Sequence, residues 1–306
     1  MNFLKNASLT ALLFIAVFAC AAFAVYDAGP GSTGNGYSNP KALISVAQLE
    51  EMIVDNSVKV IDARAGARYN LSHVPGAVNV PVSSLDGVRE NGVLTMRPDA
   101  EKFAAIMSSQ GISNDDFVVI YDEAGGSHSA RIAWKLMHFG HLNVALLNGG
   151  WDAWDGETES DAPSITPSAF AAKDDGKLMA AIDYVKGVLG DPEFVILDTR
   201  DPAEFTGQTL MSGAGKGGHI PGAVRIEWTD NMYTDRVFVL KSAEELRNMY
   251  EAQGVTPDKT VIVYCHASYR SAFSSFVLKE LLGYPNVFHY EGSWLEWSNT
   301  DAPAEN

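Results

Sequence analysis

Three short motifs occur twice along the chain, in the same order. Asp62-Ala63-Arg64 returns as Asp198-Thr199-Arg200, His73-Val74-Pro75-Gly76-Ala77 as His219-Ile220-Pro221-Gly222-Ala223, and Gly149-Gly150-Trp151 as Gly292-Ser293-Trp294. The separations are 136, 146 and 143 residues, and 143 residues also separate Asp122 from Cys265, each of which follows an apolar strand-like run. Such a repeat commits the chain to two copies of one domain, and 306 residues is ample for two packed cores. The step of ten residues between the first two separations places an insertion in the second copy. It falls at residues 206–216, a Gly-rich stretch that reads as a surface loop.

Between the motifs, apolar periodicity alternates between strand and helix. In the first half, Ser45 caps a helix carrying Val46, Leu49, Met52 and Ile53, and a strand with Val58, Val60 and Ile61 runs into Asp62. A helix over residues 99–110 precedes a strand at 117–121. A loop then leads to Arg131 and a helix to about Phe139, before a strand at 144–147. The second half repeats this with a helix at 179–189, strands at 194–197 and 261–264, and helices at 242–253 and 271–282. Strands alternating with helices predict an α/β fold, a mostly parallel sheet flanked by helices in each half. The expected divisions are a first domain at residues 40–155, a linker at 156–178 containing Pro163 and Pro167, and a second domain at 179–299.

The N-terminal residues stand apart. Lys5 precedes an apolar run at 9–24 that ends in Ala22-Phe23-Ala24, a small-x-small cleavage pattern. Residues 1–24 read as a signal peptide, giving a periplasmic or secreted protein after cleavage near Ala24; an uncleaved anchor and lipidation at Cys20 are the alternatives. Residues 25–39, rich in Gly, Ser and Asn, read as a flexible leader. Cleavage would remove Cys20 and leave Cys265 as the single cysteine, without an internal disulfide partner. The net charge of −16 argues against nucleic acid as a partner.

Cys265 follows the β-branched run Val261-Ile262-Val263, and a loop of six residues, Cys265 to Arg270, leads into a helix. Strand, cysteine, tight loop and helix make a thiol reactive, because loop amides and the helix N-terminus favour the thiolate. Arg270 adds a fixed positive charge. His266 is a candidate for binding an anion or for presenting only its amide. The amides of His266, Ala267, Ser268, Tyr269, Arg270 and Ser271 are candidates for cradling negative charge on sulfur. No His/Cys/Asp cluster has metal-ligand spacing, and no cofactor is expected.

The paired Asp-x-Arg, His-x-Pro-Gly-Ala and Gly-x-Trp motifs resemble the tandem rhodanese family of sulfurtransferases, bacterial type, over about residues 39–299. The resemblance implies two tandem rhodanese-like domains, the first lacking the cysteine and the second catalytic. Asp122 standing where Cys265 stands in the second half fits that pattern. It implies thiosulfate sulfurtransferase activity through a Cys265 persulfide, with a small anionic sulfur donor and cyanide or a thiol as acceptor. A 3-mercaptopyruvate donor, or a non-enzymatic persulfide carrier serving a protein acceptor, are the alternatives. It also implies donor-binding roles for Arg270 and for Arg131, the latter reaching across from the first domain. Ser268 stands where relatives carry Gly, which suits a loop needing positive φ. Cysteine phosphatases of the rhodanese-like fold hold a longer loop; the four residues between Cys265 and Arg270 suit one sulfur atom better than a tetrahedral phosphate.

Overall fold

The computed structural model describes residues 36–87, 96–174, 176–234 and 237–306. The expected signal segment, Cys20 and most of the leader lie outside the described residues. The first half is built from β1 (Leu43–Ile44), α1 (Val46–Val54), β2 (Lys59–Asp62), α2 (Gly66–Tyr69), β3 (Val78–Asn79), α3 (Ala100–Ser109), β4 (Val118–Tyr121), α4 (Ser127–His138), β5 (Val144–Leu147) and α5 (Gly150–Ala153). The second half runs α6 (Ile182–Gly187), β6 (Phe194–Asp198), α7 (Pro202–Phe205), β7 (Val224–Arg225), β8 (Met232–Tyr233), β9 (Val239–Leu240), α8 (Ala243–Glu251), β10 (Thr260–Tyr264), α9 (Tyr269–Phe276), β11 (Val287–His289) and α10 (Ser293–Trp297).

Each half holds a parallel sheet, in the order β1-β5-β4-β2-β3 and β11-β10-β6-β7; β8 and β9 form a separate antiparallel pair. The central strands are buried on both faces, which is why β4 and β10 read as unbroken β-branched runs rather than alternating ones. In the second sheet a single parallel bridge from Met179 to His289 takes the edge place that β1 occupies in the first. Ser45, the expected N-cap, closes a capping box with Gln48; Ser242 closes another with Glu245, and Asp99 accepts from the Lys102 amide.

The repeated motifs interlock as one unit in each half. Asp62 and Arg64 pair at 2.6 Å, and Arg64 also donates to Ser72 O at 2.6 Å while its guanidinium lies 3.8 Å from the Trp151 ring centre. Asp198 and Arg200 pair at 2.6 Å, with Arg200 donating to Gly218 O at 2.8 Å and lying 4.7 Å from the Trp294 ring. One buried arginine therefore ties a strand end, the turn before the histidine and the helix bearing the tryptophan.

The expected linker is a strap laid on the first domain. Glu159 bridges to His73 and accepts from Gly76 N at 2.6 Å, and Phe170 packs against Phe103. Glu305 repeats this with His219 and Gly222 N at 3.0 Å. The end of the expected flexible leader is also fixed: Ser38 N donates to Leu281 O at 2.7 Å and the Tyr37 hydroxyl to Lys241 O. The apolar core is continuous between halves, from Phe103 and Val118 through to Val261 and Phe276. α4 and α9 meet there, with the Phe273 ring so close to Gly126 that a side chain at that glycine would collide with it.

Candidate active site

Central strand β10 delivers Cys265 to the C-terminal edge of the second sheet, the usual position of a ligand crevice in a parallel α/β sheet. The residue is 1% exposed. Its amide donates to Ser293 Oγ at 3.3 Å and its carbonyl accepts from Trp294 N at 2.9 Å, so α10 fixes the cysteine backbone from both sides. α9 begins at Tyr269, two residues earlier than the apolar pattern suggests. The reason is Ser268, whose φ of +74° turns the chain sharply into the helix. Ser293 also has positive φ, +53°, where the first half has Gly150. Two serines held in a conformation that favours glycine thus flank Cys265, a concentration of backbone strain typical of functional sites.

The first half shows what such a loop is built to hold. Asp122 follows β4 as Cys265 follows β10. Its carboxylate accepts from Ala124 N at 2.8 Å, Gly126 N at 2.9 Å and Ser129 N at 2.7 Å. A carboxylate oxygen lies one bond beyond Cγ, just as the outer sulfur of a persulfide lies one bond beyond Sγ. The amides converge on the carboxylate, two on Oδ1 and one on Oδ2, in a loop that reaches its left-handed cap four residues after Asp122, against three after Cys265. At Cys265, among the described residues, the hydrogen bond that reaches Sγ comes from the Ser271 hydroxyl, at 3.3 Å.

Arg131 reaches from the first domain to the cysteine loop of the second. From inside α4, rather than from the loop before it, Nη1 donates to Ser268 Oγ in the cysteine loop. Its other amino group donates to Asp86 Oδ1 at 3.2 Å, and its guanidinium lies 4.6 Å from the Tyr269 ring. Asp86 also accepts from the Tyr269 hydroxyl at 2.9 Å and from Lys135 Nζ at 3.3 Å. Arg270 is not free: its two amino groups clamp the buried Glu204 carboxylate at 2.5 and 2.9 Å. Burial works against the guanidinium charge, but Glu204 and the nearby Cys265 outweigh it and hold Arg270 firmly cationic. Ala267 is half-buried, and no side-chain chemistry is available to it.

The His266 ring meets the inserted segment. Its Nε2 lies 3.1 Å from Ser212 O, in the inserted segment, and burial, assisted by Arg270 and Arg200, pushes its pKa down. A neutral ring engaged with a carbonyl leaves His266 its amide to offer. The inserted segment is accordingly no free loop. Besides this contact, Lys216 reaches Thr300 O and Ala302 O, and Trp294 Nε1 donates to Lys216 O at 3.1 Å.

Four contributions escaped the sequence: Asp86, the hydroxyls of Tyr269 and Ser271, and His289. His289 ends β11 beside β10, and its place at a strand's C-terminal edge was the available signal.

Lys135 gives the interface a pH signature. Burial drives its amine from 10.5 down to about 7, with Arg131 adding to the fall and Glu291 and Asp86 opposing it. The unfolded chain keeps that proton up to its ordinary pKa, whereas the folded chain has shed it near 7. The unfolded state binds more protons in that window, so stability rises with pH through it. Lys135→Met is expected to flatten this rise in urea unfolding midpoints between pH 7 and about 10. An undiminished slope in the variant would place its source elsewhere.

The Rhodanese-like domain family matches residues 45–157 and 181–300. The chain belongs to that family and carries two such domains in tandem. A putative thiosulfate sulfurtransferase of Haloferax volcanii is 39% identical over 78% of this chain and 84% of its own. The thiosulfate sulfurtransferase of Corynebacterium glutamicum is 33% identical over 86% of this chain and 89% of its own. The sulfur carrier protein TtuD of Thermus thermophilus is 35% identical over 86% and 96%. The fold is shared with the anaerobic ergothioneine biosynthesis enzyme of Chlorobium limicola, at a TM-score of 0.78 and 22% identity over 88% of this chain and 71% of that one.

Proposed function

We propose that the protein is a thiosulfate sulfurtransferase working through a persulfide on Cys265. The observation that carries this reading is the first-half loop, where amides converge on the Asp122 carboxylate, whose oxygens lie one bond beyond Cγ as a persulfide's outer sulfur lies one bond beyond Sγ. Relatives named thiosulfate sulfurtransferase support the donor. The Cys265 thiolate attacks the outer sulfur of thiosulfate, the Sγ–S bond forms, and the donor S–S bond breaks with its electron pair leaving on sulfite. Cyanide or a thiol then takes the outer sulfur and returns the electron pair to Sγ.

Arg131 and Arg270 lie on two sides of the cysteine loop, paired with Asp86 and Glu204, and a small dianion would have to share these guanidiniums with those carboxylates. Cradling falls to the amides of His266, Ala267, Ser268, Tyr269, Arg270 and Ser271. A second reading, a carrier that hands sulfur to a protein partner, draws on the relative named a sulfur carrier protein. We further propose export directed by residues 1–24, which mass measurement of the mature N-terminus in a periplasmic fraction tests.

The deciding experiment is steady-state turnover with thiosulfate and with 3-mercaptopyruvate, cyanide as acceptor. Thiosulfate is expected to lead in kcat/KM, with Arg131→Ala raising KM for it. A lead of more than about tenfold for mercaptopyruvate overturns the donor assignment, and stoichiometric loading without turnover favours the carrier.

A further inference from the structure

Behind the thiol, and away from the loop amides, lies a second polar chain. Ser271 Oγ is 3.3 Å from Cys265 Sγ and 2.8 Å from His289 Nε2. Both Ser271 and His289 are buried, at 0% and 1% exposure. The His289 ring stands edge-on to Trp134, at 5.5 Å, and its Nδ1 is buried with no hydrogen-bond partner among the described residues. Ser268 Oγ, the acceptor of Arg131, is the other hydroxyl near Nε2, at 3.4 Å.

These contacts select one proton arrangement. A proton on Nδ1 would be a buried N–H without an acceptor among the described residues, which carries the full desolvation penalty of that group. It would also make Nε2 an acceptor, drawing the single Ser271 proton away from sulfur. With the proton on Nε2, the ring donates to Ser271 Oγ and the Ser271 hydroxyl is left to donate to Sγ. An unpaired lone pair on Nδ1 is the smaller penalty. The ring cannot easily become an imidazolium. It is surrounded by burial and by Arg131, Lys135 and His138 of α4 together with Arg97, all of which push its pKa well down; Glu291 and Asp86 face those cations.

We propose that Ser271 is a catalytic hydrogen-bond donor to Sγ and that His289 is the positioning residue that aims it, an assignment that rests on Cys265 being the nucleophile. The pair moves no proton. Its effect is greatest when Sγ carries full negative charge: in the free thiolate, and again when the acceptor removes the outer sulfur and the Sγ–S electron pair returns to Sγ. Ser271 therefore favours Cys265 as leaving group in the second half-reaction.

The test uses the whole protein. Nitrogen NMR of histidine-labelled protein is expected to show His289 as the neutral Nε2–H tautomer; a proton on Nδ1, or an imidazolium, at neutral pH overturns the proposal with no substitution made. Ser271→Ala and His289→Leu are each expected to slow discharge of the preloaded persulfide by cyanide about tenfold, to leave KM for the donor little changed, and to move the pH–rate curve for iodoacetamide alkylation of Cys265 to higher pH. His289→Gln, whose amide nitrogen replaces Nε2–H, restores most of both. Equal failure of the Gln and Leu variants, or a Leu variant that discharges and alkylates as the parent does, overturns the positioning role. If the protein never forms a persulfide, the functional reading fails separately, because the tautomer and the alkylation curve are read on the free thiol.

Discussion

Cys265→Asp is expected to abolish sulfur transfer and leave the fold standing. Losing a covalent nucleophile costs on the order of a thousandfold or more in rate, and a carboxylate cannot form the persulfide. Ordinarily a carboxylate at 1% exposure would be expensive to bury. Here the chain has already solved that problem once, because Asp122 is 2% exposed and held by three amides. The substituted second loop, one residue shorter before its left-handed cap, is expected to turn its amides to the carboxylate in the same way, with Arg270 close by as an additional counter-charge. Cys265→Leu is the contrast, since it leaves the converging amides facing an apolar group and is expected to lose about 1–3 kcal/mol. Urea unfolding followed by circular dichroism reads both variants. An aspartate variant as destabilised as the leucine one would show that the two loops are not equivalent cradles, and would remove the main structural support for a persulfide at Cys265.

The same comparison shows which parts of the site a sequence can disclose. Asp122 against Cys265 was visible because each closes a local strand-loop-helix pattern at a constant spacing. The need for positive φ at Ser268 was visible from the residue that relatives carry there. Arg131 was visible only through resemblance, since nothing local distinguishes it from a surface helix arginine; its target, Ser268, is 137 residues away. Asp86 carried no local pattern, because the interface of the two domains brings it to the site, and His289 offered only its place at a strand end, since the pairing of β11 with β10 brings it there. The surroundings of the His266 ring were hidden for the same reason. Burial, with Arg270 of the same loop and Arg200 from another segment, lowers its pKa, and its Nε2 meets the carbonyl of Ser212, 54 residues away. Glu159 and Glu305 were lost among proline-rich and terminal residues, although each pins a histidine turn. The fold was legible because its determinants are periodic. The site was half legible because only its loop is local.

The largest stability effect belongs to the scaffold. Asp198→Ala is expected to cost about 3–5 kcal/mol, against less than about 1 kcal/mol for Arg225→Ala. Asp198 is 0% and Arg200 1% exposed. Arg200 meets the carboxylate through its backbone N at 2.9 Å, Nε at 2.9 Å and Nη2 at 2.6 Å. Removing the carboxylate leaves a buried guanidinium with Gly218 O, the Trp294 ring and only the charge of Glu204, which Arg270 already clamps. Arg225 and Glu227, by contrast, sit 3.8 Å apart with side chains 29% exposed, where water replaces the lost partner. The consequence reaches the site, because Arg200 holds the ring of Trp294, whose amide fixes the Cys265 carbonyl. Asp198→Ala should therefore lower kcat under conditions where the protein is still fully folded, whereas Arg225→Ala should not. A loss below about 1 kcal/mol in urea titrations of Asp198→Ala would mean that the buried pair is replaceable by packing. The repeated Asp-x-Arg motif would then owe its place in both halves to the backbone turn alone.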